Sequence, residues 1–229
     1  MPDIKQIPPS SFEFLSLLKN NNAREWFNEH KTAYQKELAY LESFAQYLLD
    51  LMNTHDVIET PSVKKSLYRI YRDTRFSNDK TPYKTHWSGS FKRAGKQRRG
   101  GYYFHIEPGN SFVAGGFFGP SPQDLKLIRE NISYDAQPLR EILSDETFIS
   151  SFGTLKGEQL KTAPKGFAVD HHDINLLRHK QFLLIHQFTD EEVLSKEFPA
   201  YCSQEFKNMR PFFDYMSEIL TTDANGMDL

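Results

Sequence analysis

The sequence lacks the features that mark several common protein classes. Among 229 residues there is one cysteine, Cys202, so no internal disulfide can form and a disulfide-stapled scaffold is excluded. No stretch approaches the roughly 18 consecutive apolar residues of a membrane-spanning helix. The longest aliphatic-aromatic run is Phe182-Leu183-Leu184-Ile185. Residues 1–10 contain no apolar core of the kind a secretory signal needs, which together with the lone thiol reads as a cytoplasmic chain with no membrane partner. There is no GxGxxG step for a dinucleotide and no phosphate-cradling P-loop, so no cofactor is assigned. Internal repeats, low-complexity tracts and Pro/Gly linkers are also missing. The expectation is a single α+β domain over 1–229, in which residues 136–229 form a softer C-terminal subdomain at most.

What is present is aromatic and unevenly charged. Aromatic residues make up 14% of the chain, with 19 Phe and 11 Tyr against 2 Trp, which predicts a Phe-rich core. Net charge is −2, yet residues 64–99 hold twelve basic and two acidic groups, a local balance of +10 that leaves −12 for the remainder. Either this block meets an anion or it neutralises the rest of the fold.

The apolar spacing predicts a short helix over 11–20, with Ser11 as its cap and Phe12, Leu15 and Leu18 on one side. A long N-terminal helix follows from near Ala23 to near Met52, opened by Asn22 with Glu25 three residues on. From residue 66 the pattern turns to strands at Ser66–Tyr71, Trp87–Arg93, Gly101–Glu107 and Ser111–Phe118, the last two joined by a turn at Glu107-Pro108-Gly109-Asn110. Short connections imply antiparallel pairing. Ser121-Pro122 opens another helix, a short one follows near Leu139–Leu143, Phe182–Phe188 reads as a strand and Asp190–Lys196 as a helical turn. Pro199–Leu220 reads as a closing C-terminal helix that Pro211 kinks or breaks. The fold class is therefore α+β, an antiparallel sheet flanked by helices.

Chemistry concentrates in Arg69-Ile70-Tyr71-Arg72-Asp73-Thr74-Arg75-Phe76-Ser77-Asn78-Asp79-Lys80-Thr81-Pro82-Tyr83-Lys84-Thr85-His86. Guanidinium forks bind phosphate or carboxylate bidentately and lysines add point charges, so Arg69, Arg72, Arg75, Lys80 and Lys84 together suit an oxyanion. Asp73 and Asp79 would orient the arginines, and Tyr83 and His86 would line the mouth. Arg24, His30 and Lys31 of the preceding helix are candidates for the same site, His30 as an acid/base group or as a hydrogen-bonded core residue. The competing reading pairs the arginines internally, in which case Arg72→Ala costs about 3–5 kcal/mol if the pair is buried.

Other signals are weaker. His105 and Glu107 would share a strand face, and His171-His172-Asp173 offers adjacent ligand types, but neither matches a known metal spacing and no metal is assigned. Cys202 reads as a buried thiol. The run Lys92-Arg93-Ala94-Gly95-Lys96-Gln97-Arg98-Arg99 reads as a solvated loop or a contact for phosphate backbones, which keeps a nucleic-acid-interaction module as an alternative.

Taken with the segment Asn21-Asn22-Ala23-Arg24-Glu25-Trp26-Phe27-Asn28-Glu29-His30-Lys31-Thr32-Ala33-Tyr34, the arginine motif resembles the microbial family catalogued as domain of unknown function 2461. Tyr102–Gly109, the Gly115-Gly116 pair with Pro120 and Arg129 beyond it, and Pro164-Lys165-Gly166-Phe167 are further landmarks, so the resemblance spans roughly 12–220. It implies one α+β domain and names no activity. Gly119 and His172 stand where the family pattern usually has a larger residue and a proline.

Overall fold

The computed structural model describes residues 5–95 and 98–222. Helix α1 (Pro9–Asn20) opens on proline, tolerated there because the first N–H groups of a helix have no helical partner. Ser11, expected as the cap, lies inside this helix, and its hydroxyl donates to Glu37 Oε2 at 2.7 Å. The long helix expected over 23–52 is two, α2 (Arg24–Glu29) and α3 (Lys31–Met52). They part at His30, at φ −100° and ψ 15°. His30 N–H still reaches the Trp26 carbonyl at 3.1 Å and Tyr34 N–H the His30 carbonyl at 3.0 Å, so the apolar rows stay in phase and periodicity does not register the break.

The strand expected over 66–71 is replaced by α4 (Val63–Ser66) and two isolated bridges, Leu67 with Gly89 and Tyr71 with Tyr83. Arg72 N–H bonds the Pro82 carbonyl at 2.9 Å, but Pro82 has no N–H to return, and the ladder stops there. Strands β1 (Trp87–Lys92), β2 (Gly101–Ile106) and β3 (Ser111–Phe117) fall within a residue of expectation. Helix α5 (Pro122–Tyr134) is capped by Ser121, whose Oγ accepts from Asp124 N–H at 3.0 Å. It is followed by α6 (Gln137–Ser144), α7 (Glu146–Phe152) and α8 (Ile174–Leu177). The unforeseen α7 is capped by Asp145, which accepts from Thr147 N–H at 2.9 Å. Strand β4 (Phe182–Phe188) completes an antiparallel sheet of order β1-β2-β3-β4. After α9 (Asp190–Leu194), the closing helix is divided at Met209 into α10 (Phe198–Asn208) and α11 (Arg210–Thr221), with Pro211 in the first turn of α11. The architecture is α+β, and none of the described helices is long and apolar enough to cross a membrane.

The described residues fall into two compact units, neither a continuous stretch of chain. One takes in residues up to Phe91, Tyr103–Val113 and Gln187–Gln204; the other takes Lys92–Tyr102, Ala114–His186 and those from Glu205 onward. Both cores are aromatic. In the first, Phe44 stacks on Phe198 at 5.3 Å and meets the Phe104 edge at 5.6 Å, while Phe188 closes on Phe198 at 5.2 Å. In the second, Tyr102 lies between Phe206 at 4.9 Å and Phe213 at 5.1 Å.

Gly89 on β1 is where the first core admits no side chain, since a Cβ there would meet the Phe104 ring at 2.6 Å and the Ser66 carbonyl at 3.0 Å. Gly89→Val is expected to destabilise by about 1–3 kcal/mol through overpacking. Thermal unfolding should show this as a midpoint lowered by about 2–4 °C per kcal/mol.

Candidate functional site

The arginine motif folds into a loop whose charges first meet one another. The Arg72 Nη1 donates to both Asp79 Oδ2 and Thr81 Oγ1. Asp79 Oδ1 also accepts from Thr81 N–H at 2.9 Å and Thr81 Oγ1 at 2.8 Å. Arg75 forks onto Asp73, with Nε to Oδ1 at 2.9 Å and Nη2 to Oδ2 at 2.6 Å, and Lys80 Nζ donates to the Thr74 carbonyl at 2.9 Å. The two carboxylates of the basic block thus each hold an arginine of their own loop. These bridges lie at the surface: the Arg72 side chain keeps 25% of its exposure and Asp79 58%, so the buried pair that the internal-pairing reading needs is not found at Arg72.

The loop is pinned to the helical segment before it. Asn22 Nδ2 donates to the Tyr83 carbonyl at 3.0 Å, and Tyr83 N–H donates back to Asn22 Oδ1 at 3.1 Å. Phe27, fully buried on α2, stacks on the Tyr83 ring at 4.0 Å. Asn22 therefore does not cap a helix as expected; its amide takes the place of a neighbouring strand. The result is an open cleft of about 600 Å³ with Arg24, Glu25 and Asn28 on one wall and Tyr71, Arg72, Thr74, Lys80 and Tyr83 on the other.

Of the residues singled out in sequence, Arg72, Lys80, Tyr83 and Arg24 come together at this cleft. The others stand elsewhere. Arg69 is exposed, and Arg75 is exposed with its guanidinium 5.7 Å from the Phe76 ring. Lys84 stands over the Tyr68 ring at 5.3 Å. His30 stacks on Trp26 at 4.0 Å, and its Nδ1 lies 2.8 Å from the Trp26 carbonyl. Glu25 and Tyr71 complete the cleft without having been singled out, because only the fold sets the two segments side by side.

The segments that face each other here, 21–34 and 69–86, carry the resemblance noted in the sequence. The chain belongs to the family described as conserved hypothetical protein (DUF2461). The match extends over residues 10–215. Comparison with curated proteins and with solved structures gave no match.

His86, where the family's arginine motif ends, takes part in a second constellation. His86, His105 and Glu107 bring one ligand-type atom each to within 4.8 Å of one another. The His86 and His105 rings are 4.1 Å apart, and His105 Nε2 lies 3.2 Å from Glu107 Oε2. Burial pushes the His86 imidazole down to about 4, with His105, Lys84 and Arg72 adding to the shift and Glu107 opposing it. Burial also lowers His105. At Glu107 burial works upward, but hydrogen bonds from Asn110, His105 and Thr85 prevail and hold the carboxyl below its usual range. In the other unit, His171, His172 and Asp173 form a comparable group.

The basic run 92–99 is not a bare cationic tip. Arg93 is 1% exposed; its Nη2 donates to Asp214 Oδ1 at 2.5 Å, its Nη1 lies near the Arg99 carbonyl at 3.3 Å, and its guanidinium is 5.5 Å from the Phe213 ring. Arg99 Nη2 donates to Asp124 Oδ2 at 2.6 Å. Lys96 and Gln97 lie outside the described residues. Cys202 is buried, as expected. Together the Arg/Lys–Asp pairs and the ligand-type clusters give the protein the capacity to hold small charged groups.

Two outcomes follow from these pairs. Thr81 N–H, then Arg72 and the Thr81 hydroxyl, hold the Asp79 carboxyl down at about 2. Its tie to the loop is therefore present above its unfolded value near 4 and lost as pH falls toward about 2. A carboxyl NMR titration of wild type should show that late protonation, and an Arg72→Ala variant should move it upward. Arg93→Ala, which empties a buried site, should cost about 2–5 kcal/mol. Asp214→Asn should cost clearly less, because Asp214 is half exposed and Arg93 keeps its carbonyl partner; chemical denaturation of the two variants checks the order.

Proposed function

We propose that the protein binds a small phosphate- or carboxylate-bearing metabolite in the cleft between Arg24 and the Arg72–Lys80 loop. The observation that carries this reading is the hydrogen bonding of Arg72. Asp79 and Thr81 both engage Nη1, which leaves Nη2 and Nε, the edge suited to a bidentate oxyanion, without a partner among the described residues. Asp79 thereby fixes the guanidinium without covering its binding edge.

The surroundings support the same reading. Arg24 and Lys80 add positive charge with no carboxylate partner among the described residues, and the cleft volume falls in the range of about 300–1,000 Å³ usual for small-ligand sites. Glu25 would accept a hydroxyl or amine of the ligand, and the Tyr71 and Tyr83 rings supply apolar wall. Asp73 holds Arg75, which does not line the cleft. Arg69, Lys84, His86 and His30 do not line the cleft, and their part in anion binding is at most to raise the local positive potential. Arg93 and Arg99, bonded within the fold, weaken the nucleic-acid alternative.

The test is thermal unfolding of wild type, Arg72→Ala and Lys80→Ala with inorganic phosphate, nucleotides, dicarboxylates and a short single-stranded oligonucleotide, at low and moderate salt. A ligand at about 100 times its Kd should stabilise wild type by about 2.7 kcal/mol, a shift of several degrees. The shift should survive moderate salt and vanish in Arg72→Ala. Silence with every small anion, or an equal shift in Arg72→Ala, overturns the reading. A shift seen only with the oligonucleotide and erased by salt would assign the surface to nucleic acid instead.

A further inference from the structure

We propose that His86, His105 and Glu107 form a binding site for a first-row divalent transition metal, with Zn(II) the expected occupant. The donor set of two imidazoles and one carboxylate is the kind that leaves coordination positions open, so the site would hold a metal that also takes water or a substrate oxygen. All three residues belong to the first compact unit: His86 directly precedes β1, His105 is on β2 and Glu107 follows it.

Three geometric features argue for an ion rather than a chance meeting. The first is spacing. Bonds of about 2.0–2.2 Å to one tetrahedral ion place two donors about 3.3 Å apart, and His105 Nε2 and Glu107 Oε2 stand 3.2 Å apart. The second is the outer support. Metal-binding imidazoles are ordinarily oriented through their second nitrogen and metal-binding carboxylates through further hydrogen bonds. Here the Tyr103 hydroxyl lies 3.0 Å from His105 Nδ1, Thr85 Oγ1 donates to Glu107 Oε1 at 3.0 Å, and Asn110 Nδ2 donates to Oε2 at 3.1 Å. The His105 ring is further fixed by stacking on Phe112 at 4.7 Å. The third is an open valence. Neither ring nitrogen of His86 has a hydrogen-bond partner among the described residues, although the ring is half buried and lies 4.1 Å from that of His105.

The His171-His172-Asp173 group does not meet these conditions. Its carboxylate is already held by Arg140, with Nε 2.7 Å from Asp173 Oδ1. Both nitrogens of His171 are engaged by atoms outside the donor set, one accepting from Asp173 N–H at 3.1 Å and the other 3.1 Å from Ser133 Oγ, whereas His105 Nε2 faces Glu107, itself a ligand of the proposed site. At the first cluster, metal on His105 Nε2 replaces the proton now shared with Glu107. The neutral ring keeps its one proton, which passes by way of solvent from Nε2 to Nδ1 and there donates to the Tyr103 oxygen, so the imidazole binds as its other tautomer with no net loss of a proton.

The experiment is calorimetric titration of the chelator-treated, tag-free full chain with Zn(II), alongside Co(II) absorption, for wild type, His86→Ala, Glu107→Gln, Tyr103→Phe and His172→Ala. One equivalent should bind to wild type and to His172→Ala, with tetrahedral Co(II) bands, and the site should be lost in His86→Ala and Glu107→Gln. Tyr103→Phe should weaken affinity by roughly 10–100-fold. Glu107→Gln keeps the size of the side chain, and far-UV circular dichroism confirms that each variant is folded. Absence of a stoichiometric site in wild type, equal binding by Glu107→Gln, or loss confined to His172→Ala overturns the proposal. Lys80→Ala should bind Zn(II) like wild type, which separates this outcome from that of the anion cleft.

Discussion

Both the cleft and the His86 cluster depend on how one tyrosine is held. The Tyr83 backbone is paired in both directions by the Asn22 amide, and its ring is stacked on the buried Phe27. A loop of this length has many conformations, and closing it carries an entropic cost that a few surface ion pairs do not offset. The aromatic stack and the two partly buried hydrogen bonds supply what those bridges lack. With Tyr83 fixed, Pro82 before it ends the ladder with Arg72 and frees the loop to bulge, while the residues after it run into β1.

The same few residues border two constellations. On one side of Tyr83 the chain presents Arg72 and Lys80 to the cleft, and on the other Thr85 steadies Glu107 and His86 joins His105. Arg72 and Lys84 also lower the tendency of His86 to take a proton, so the positive loop and the imidazole pair are electrostatically coupled within one unit. A loop anchored at a single aromatic residue is a compact way to set both geometries at once.

The charge asymmetry of the chain resolves into separate fates. Two arginines are held by the acids of their own loop, as Arg72 with Asp79 and Arg75 with Asp73. Two are taken up by distant acids in the second unit, as Arg93 with Asp214 and Arg99 with Asp124. Lys64, Lys65 and Arg69 face solvent. Internal neutralisation, one of the two readings offered by composition, therefore accounts for these four arginines of the block and not for its solvent-facing members.

Local signals were sufficient for much of this protein. Alternation and turn chemistry set the strands at 87–92, 101–106, 111–117 and 182–188, Ser121 marked α5, and the motif residues carried the family and the loop of interest. These depend on neighbours in sequence, and a sequence displays them directly. The break at His30, the loss of the strand at 66–71 and the gathering of His86 with His105 and Glu107 were decided by tertiary structure. His30 keeps its helical hydrogen-bond partners and so leaves no trace in periodicity. Pro82 ends a ladder only once it stands opposite Arg72. His86 and His105 are nineteen positions apart and meet only because β1 and β2 pair in one register. Residue type and spacing fix what each segment can do, and the pairing of distant segments fixes which of those capacities share a site.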